Sequence, residues 1–284
     1  MRLARLGAPG VEVPVVADGE GPWYDLRPLT SDLDGTFLEH RLGDAAAALA
    51  AGRLDLLPVA DELRFGPPLR GIGKIVCIGL NYRDHAAETG ARIPDEPVLF
   101  LKTPDTVVGA RDEVLVPRGS RKCDYEVELA VVIGRQARYL DSPDDAGGCI
   151  AGYAISNDVS EREFQAERGG QWDKGKNCET FNPLGPWIRT ADEVADPQAL
   201  GLRLWVNGEP RQDSSTGQMV FGVRHLVWYV SQFLVLRPGD VINTGTPAGV
   251  ALGYPDPKPY LRAGDVMELE IDGLGRQRQT LVQA

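Results

Sequence analysis

The sequence predicts a β-rich α+β fold, and three observations carry that expectation. From residue 73 onward, short apolar and β-branched runs recur between Gly and Pro turns. Helical periodicity is confined to a few stretches. The glycines also lack the strand–GxGxxG–helix order, or the GxxxxGK order followed by Ser or Thr, that a nucleotide site needs. Together these favour a β-roll or barrel over a doubly wound sheet.

Residues 1–70 read as a small mixed α/β unit without visible chemistry. Arg2 to Leu6, Val11 to Val16 and Trp23 to Leu26 suggest short strands, and Thr36 to Ala51 suggests a helix stopped by Gly52. His40 on that helix reads as an exposed or packing histidine. Leu54 to Val59 and the Pro67-Pro68 pair lead into the larger unit, residues 71–284. There Lys74 to Leu80 reads as a buried strand, followed by a single helical turn over Asp84 to Glu88. On that turn His85 and Glu88 stand three apart and face one another, so the carboxylate could fix the imidazole's tautomer and raise its basicity. A plain surface His–Glu pair is the competing reading of those two residues alone.

Pro97 to Lys102 is a further strand, and Val107 to Val116 turns at Arg111-Asp112-Glu113. Asp124 to Gly134 alternates at its start and then becomes continuously apolar, as a strand entering a core does. Residues two apart on a strand share a face, so Glu126 and Glu128 project together with Asp124 behind them. Buried unpaired carboxylates are costly. The arrangement therefore asks for a cation, and Mg²⁺, Mn²⁺ and Ca²⁺ prefer carboxylate oxygen. A solvated acidic face is the competing reading of this pattern by itself.

Ile150 to Ile155 reads as a strand ending near Asp158, with Ser160 opening a helix over Glu161 to Arg168 through a Ser160-x-x-Glu163 capping box. Arg162 and Gln165 share a face of that helix and could point into one site. Asn207-Gly208 between two alternating runs is a hairpin signal. Val220 to Val235 reads as an amphipathic helix with His225 as a packing residue. Near the end, Gly239-Asp240 and Gly264-Asp265 each place a turn before a strand. Between them, Thr244 to Gly249 is a small-residue loop whose backbone N–H groups could hold an anion.

The totals narrow the partners. A net charge of −11 with no basic cluster argues against nucleic acid and anionic membranes. Cys77, Cys123, Cys149 and Cys178 are widely spaced, with no Cys-x-x-Cys pair, which suggests a reducing compartment. The first residues are too charged for a signal peptide, and no apolar run approaches membrane-spanning length. A cytoplasmic protein is the expectation.

At this point the motifs GLNYRDHAAE (79–88), DYEVELAVVIG (124–134), GYAISNDVSER (152–162), QWDKGK (171–176), PLGPW (183–187) and PGDVINTGTPAGV (238–250) carry a resemblance. In family order, they resemble the fumarylacetoacetate hydrolase superfamily over about Lys74 to Leu274. The resemblance implies a distorted β-roll, a homodimer and a Mg²⁺ or Mn²⁺ ion, with Glu126, Glu128 and Asp158 as ligands. It implies His85 and Glu88 as the water-activating pair on a lid segment, and Lys176 as the active-site lysine. Arg162, Gln165 and Thr246 match substrate-contacting positions, and Lys102 falls in a segment lining the site.

The implied reaction is hydrolysis of a 2,4-dioxo acid, with the ion as Lewis acid. His85 takes a proton from water, hydroxide attacks the C4 carbonyl, and cleavage of C3–C4 develops enolate charge that Lys176 meets. The products are pyruvate and a carboxylic acid. Decarboxylation, lyase chemistry and keto–enol isomerisation are the alternatives on the same scaffold. A catalytically silent dimer binding a cation and an oxo acid is the non-enzymatic one. The stretch from Ser160 to Trp187 is most similar to hydrolases of 2,4-dioxo-3-deoxy sugar acids. Departures from that branch's pattern fall at Glu179, Asn182 and Asn243, near expected substrate positions. Asp124 has no ligand role carried over and is expected to hold a ligand or a water from behind.

Overall fold

A computed structural model describes residues 1–58, 60 and 63–284; Val59, at the end of the run read over 54–59, lies outside the described residues. The first strands are β1 (Arg2–Leu6), β2 (Val13–Ala17) and β3 (Tyr24–Asp25), followed by helices α1 (Gly35–His40) and α2 (Leu42–Ala50). Next come β4 (Ile75–Gly79), helix α3 (Arg83–Thr89), β5 (Val98–Lys102), β6 (Val107–Val108), β7 (Val114–Val116), β8 (Cys123–Asp124) and β9 (Val127–Ile133). Strands β10 (Ile150–Asn157) and β11 (Ser160–Glu161) lead through a π-helical turn at Glu163–Glu167 to α4 (Asp173–Lys176) and β12 (Asn182–Thr190). The chain ends with β13 (Gly201–Val206), β14 (Glu209–Ser215), helix α5 (Val223–Ser231), β15 (Val241–Asn243), β16 (Val266–Ile271) and β17 (Gly275–Gln283).

These strands form two main sheets. The larger runs β3-β2-β1-β12-β10-β9-β15-β4-β5, with β6 beside β12, and the smaller runs β14-β13-β16-β17-β7. Both paths are open, so the sheet-rich α+β expectation holds without a closed barrel. Between them lies the principal core. Val127, Leu129, Val131 and Ile133 of β9 meet Leu204, Leu269 and Ile271 of the second sheet and Leu226 of α5. The opposite face of β9, through Ala130 and Val132, packs with Leu3, Phe37, Ile75 and Ile188. A strand covered on both faces must be apolar at every position, which explains the continuous run after Glu128.

The stretch 1–70, read as a separate small unit, adds its strands to the larger sheet through β1–β12 pairing. Its helical segment is two short helices, not one, meeting at Arg41. Asp34 caps the first, accepting from Phe37 N at 2.8 Å. The hairpin β13–β14 turns at Asn207 and Gly208 as read, both at positive φ. The two Gly-Asp turns are also alike in detail: Asp240 accepts from Arg237 N and Asp265 from Arg262 N, each at 2.7 Å.

Candidate metal centre and cavity

Two strand ends and one helical turn converge on a single acidic group. Glu126 precedes β9, Glu128 is its second residue, and β10, hydrogen-bonded to β9, delivers Asp158 just past its end. One carboxylate oxygen from each of the three lies within 4.8 Å of the others, and all three side chains are buried. The sequence shows the two glutamates as neighbours on one face; only antiparallel pairing of β9 with β10 brings in Asp158.

The strand read as continuous from Asp124 is interrupted at Tyr125 and Glu126. Cys123–Asp124 pairs instead with Ser160–Glu161 in a separate two-stranded ribbon. This break turns the fully buried Asp124 towards Arg162, whose Nε donates to Asp124 Oδ2 at 2.8 Å. Asp124 also accepts from Ala251 N at 2.8 Å and Leu252 N at 3.0 Å. The Nη2 of Arg162 lies 2.7 Å from Glu126 Oε1. Asp124 thus positions Arg162, and Arg162 positions Glu126.

Lysines complete the charge network. Lys176 Nζ bridges Glu126 Oε2 and Asp158 Oδ2, both at 2.8 Å. Lys102 is fully enclosed: it donates to Asp158 Oδ1, to Phe181 O at 2.7 Å and to Val159 O at 3.0 Å. It does not face the cavity, correcting the expectation that it lines the site. Its role is to hold Asp158 from behind.

Glu128 differs from its neighbours. It pairs with no cation among the described residues and accepts from Gly245 N at 2.8 Å. Burial, with the charges of Asp158 and Glu126 next, pushes its carboxyl well above the ordinary carboxylate value. For Glu126, burial also pushes upward, but Lys176 and Arg162 overcome it and bring the carboxyl down to about 2. Burial lowers Lys176, and the facing Asp158 and Glu126 raise it by more, so it stays a cation. The group is one positive charge short, and the deficit sits on Glu128.

The loop Thr244 to Gly249 does hold anions, and they belong to the protein. Gly245 N holds Glu128, and Gly249 N donates to Glu88 Oε1 at 2.9 Å. Gly245 has φ +94°, and a Cβ there would sit 3.0 Å from Ile78 O, so glycine is required. Glu88 in turn meets His85, with Nδ1 3.3 Å from Oε2, so the pair read from the sequence forms on α3. A Cβ on Gly253 would lie 2.3 Å from the Glu88 carboxyl carbon, so the glycine gives that carboxylate its place.

The acidic group opens into a cavity of about 300 Å³. Glu126, Glu128, His85, Arg162, Gln165, Lys176 and Thr246 all reach its surface. Arg162 and Gln165 share it as read, with Arg162 Nη1 donating to Gln165 Oε1 at 3.1 Å. Thr246 donates to Val127 O at 3.0 Å and accepts from Gln212 Nε2 at 2.8 Å.

The capping box expected at Ser160 is replaced. Ser160 lies in β11, and Glu161 Oε2 accepts from Phe164 N at 2.7 Å to start the turn. Phe100 and Trp172 form another part of the wall and have no expected role from the sequence: Phe100 is one apolar residue of a strand run, and Trp172 lies in the QWDKGK motif without a role of its own. Of the three departures from the sugar-acid pattern, Glu179 is exposed and none lines the cavity. Asn182 and Asn243 are buried and meet each other, Asn243 Nδ2 donating to Asn182 Oδ1 at 2.9 Å.

The fumarylacetoacetate (FAA) hydrolase C-terminal model matches residues 74–282. The chain belongs to the fumarylacetoacetate hydrolase family. As an enzyme of this metal-dependent hydrolase family, it is 48% identical over 279 residues to the 2,4-didehydro-3-deoxy-L-rhamnonate hydrolase of Sphingomonas sp. (strain SKA58), covering 98% of this chain and 95% of the relative. The fumarylacetoacetate hydrolase of psychrophilic Exiguobacterium antarcticum superposes with a TM-score of 0.85 at 33% identity, covering 100% of both chains. Maleylpyruvate hydrolase from Sphingobium sp. SYK-6, solved with manganese(II) and pyruvate, has a TM-score of 0.82 at 29% identity, again covering 100% of both chains.

Proposed function

We propose that this protein is a divalent-metal-dependent hydrolase that cleaves the C3–C4 bond of a 2,4-dioxo acid, releasing pyruvate and a carboxylic acid. The observation that carries the reading is the buried carboxylate set whose Glu128 lacks a cationic partner. A donor set made only of carboxylate oxygens suits a hard ion, and Mg²⁺ or Mn²⁺ is the proposed occupant. Glu126, Glu128 and Asp158 would hold it. When bound, the ion supplies a Lewis acid for the oxygens of an α-oxo acid. The Mn²⁺ and pyruvate in the maleylpyruvate hydrolase structure support this reading.

The chain's own groups divide the remaining work. His85 faces the cavity with Nδ1 turned to Glu88, leaving Nε2 to take a proton from water. Hydroxide adds to the C4 carbonyl, and as C3–C4 breaks the electron pair passes into the departing three-carbon fragment as an enolate. The ammonium of Lys176 reaches the same cavity and stabilises that developing charge. Arg162, Gln165 and Thr246 orient the acid. Protonation at C3 completes pyruvate.

The substrate proposed is an acylpyruvate, with a 2,4-dioxo-3-deoxy sugar acid within the class; similarity to the rhamnonate-derived hydrolase supports the latter. We also propose a homodimer: Phe221, just before α5, stacks with His225 and Tyr229 of α5 in a ladder beside Phe233, which is 63% exposed. The free state of all four cysteines supports a reducing, cytoplasmic setting. Among the described residues no helix is long and apolar enough to cross a membrane.

Turnover in heavy-oxygen water separates hydrolysis from decarboxylation, lyase and isomerase chemistry. The reading expects one solvent oxygen in the released carboxylic acid. Conversion of the dioxo acid without that incorporation would discard it.

A further inference from the structure

The cavity has two chemically different parts. At the carboxylate end every cation is already engaged: Arg162 with Asp124 and Glu126, and Lys176 with Glu126 and Asp158. From Lys176 the wall turns apolar. Its Nζ lies 5.0 Å from the Phe100 ring centroid, and Phe100 meets Trp172 edge-on at 5.7 Å. Trp172 closes down on Gly79, where a Cβ would be 2.7 Å from the indole. Ile78, Leu80, Ala91 and Leu252 supply more of the apolar lining.

The remaining polar groups of that lining offer little to a polar tail. Thr89 donates its hydroxyl to His85 O at 2.9 Å. Glu167 is exposed, and its charge is taken up by Lys122, which is not part of the lining. No cation of the described lining is left to meet a second carboxylate. A cavity of about 300 Å³ is also at the small end for small-molecule sites.

We infer that the acyl group accepted here is short, uncharged and alkyl-ended, and that Trp172 sets this specificity by apolar contact. The inference rests on the acylpyruvate reading and names the class within it. Substrates with a carboxylate at the far end of the acyl group are rejected, because that charge would lose water against an apolar wall with no free cation to meet it. Within the sugar acids, tails that end in a methyl group are admitted and tails bearing several hydroxyls are disfavoured, because the apolar wall leaves hydroxyls without hydrogen-bond partners.

The test compares Mg²⁺-loaded enzyme on acetylpyruvate, on a 2,4-dioxo acid with an unbranched propyl tail, and on analogues with a dihydroxylated or carboxylate-ended tail. The propyl tail is expected to exceed the carboxylate tail in kcat/KM by about 100-fold, on the scale of an uncompensated buried charge. Trp172→Ala should cut the propyl-to-acetyl ratio by roughly tenfold, as loss of an apolar contact does.

Calorimetry with 2-oxohexanoate and 2-oxoadipate, which lack the C4 carbonyl and are not cleaved, gives a second readout: the first should bind at least about tenfold tighter. If dioxo acids are hydrolysed with the carboxylate tail equal or better, or if 2-oxoadipate binds as tightly, the specificity inference falls and the hydrolase reading stands. If no dioxo acid is cleaved while 2-oxohexanoate still binds preferentially, the hydrolase reading falls and the tail selectivity stands.

Discussion

Glu128 is the one site carboxylate without a cationic partner among the described residues. Its carboxyl is held well above its ordinary value by burial and by Asp158 and Glu126. The folded apo-protein therefore keeps a proton that the unfolded chain releases as pH rises through the ordinary carboxylate value, so apo stability falls with rising pH up to the folded value. A cation binds the carboxylate and must expel that proton. The stabilisation by Mn²⁺, read as a shift in Tm, should thus grow as pH rises above the ordinary carboxylate range. A shift independent of pH above that range would mean that Glu128 is not titrating against the metal. Lys102 gives a different prediction. Its ammonium is fully enclosed against Asp158, so Lys102→Met leaves a buried carboxylate short of a partner and should cost about 3–5 kcal/mol in denaturant unfolding. A loss below about 1 kcal/mol, the range of exposed pairs, would show that Lys102 is not anchoring Asp158. Sequence order made Glu126 and Glu128 legible as a pair because residues two apart in an extended chain fall on the same side. It hid what Asp124 and Lys102 do, since their partners lie 38 and 56 residues away.

At the scale of elements, the site depends on how closely α4 approaches the turn before it. A Cβ on Gly175 would sit 2.3 Å from Glu161 O and 2.6 Å from Gln165 Cβ, so only glycine lets α4 lie where Lys176 meets both carboxylates. Gly175→Ala should destabilise the fold by about 1–3 kcal/mol through overpacking. It should also lower kcat by more than it raises KM, because Lys176 is displaced from the developing charge. Steady-state kinetics with a parallel melt checks both, and wild-type kcat in the variant would separate α4 from the chemistry. Turn signals such as Asn207-Gly208 were readable because the backbone conformation is demanded by those two residues themselves. The capping reading at Ser160 failed for the opposite reason. Pairing of Ser160–Glu161 with Cys123–Asp124 drew Ser160 into a ribbon and left Glu161 to start the turn.

For the whole molecule, the β-rich class could be read from the run lengths, but the sheet order could not. β15 lies between β9 and β4, pairing residues more than a hundred positions apart, and nothing local in Val241–Asn243 announces it. That insertion aims the following loop, and so Gly245 N, at Glu128. The same long-range arrangement sends Arg2 to Leu6 of the first stretch against β12, a junction the change of texture near residue 70 concealed. The protein is thus organised so that two sheets, three lysine or arginine side chains and one glycine loop present a carboxylate set one cation short, beside a His–Glu pair. The direct test of that claim is pyruvate release from acetylpyruvate by chelator-stripped enzyme, before and after Mn²⁺ is restored, in the wild type and in Glu128→Ala. No release is expected without metal, with recovery on adding it and no recovery in the variant. Pyruvate release that survives chelation, or an equal recovery in Glu128→Ala, would contradict it.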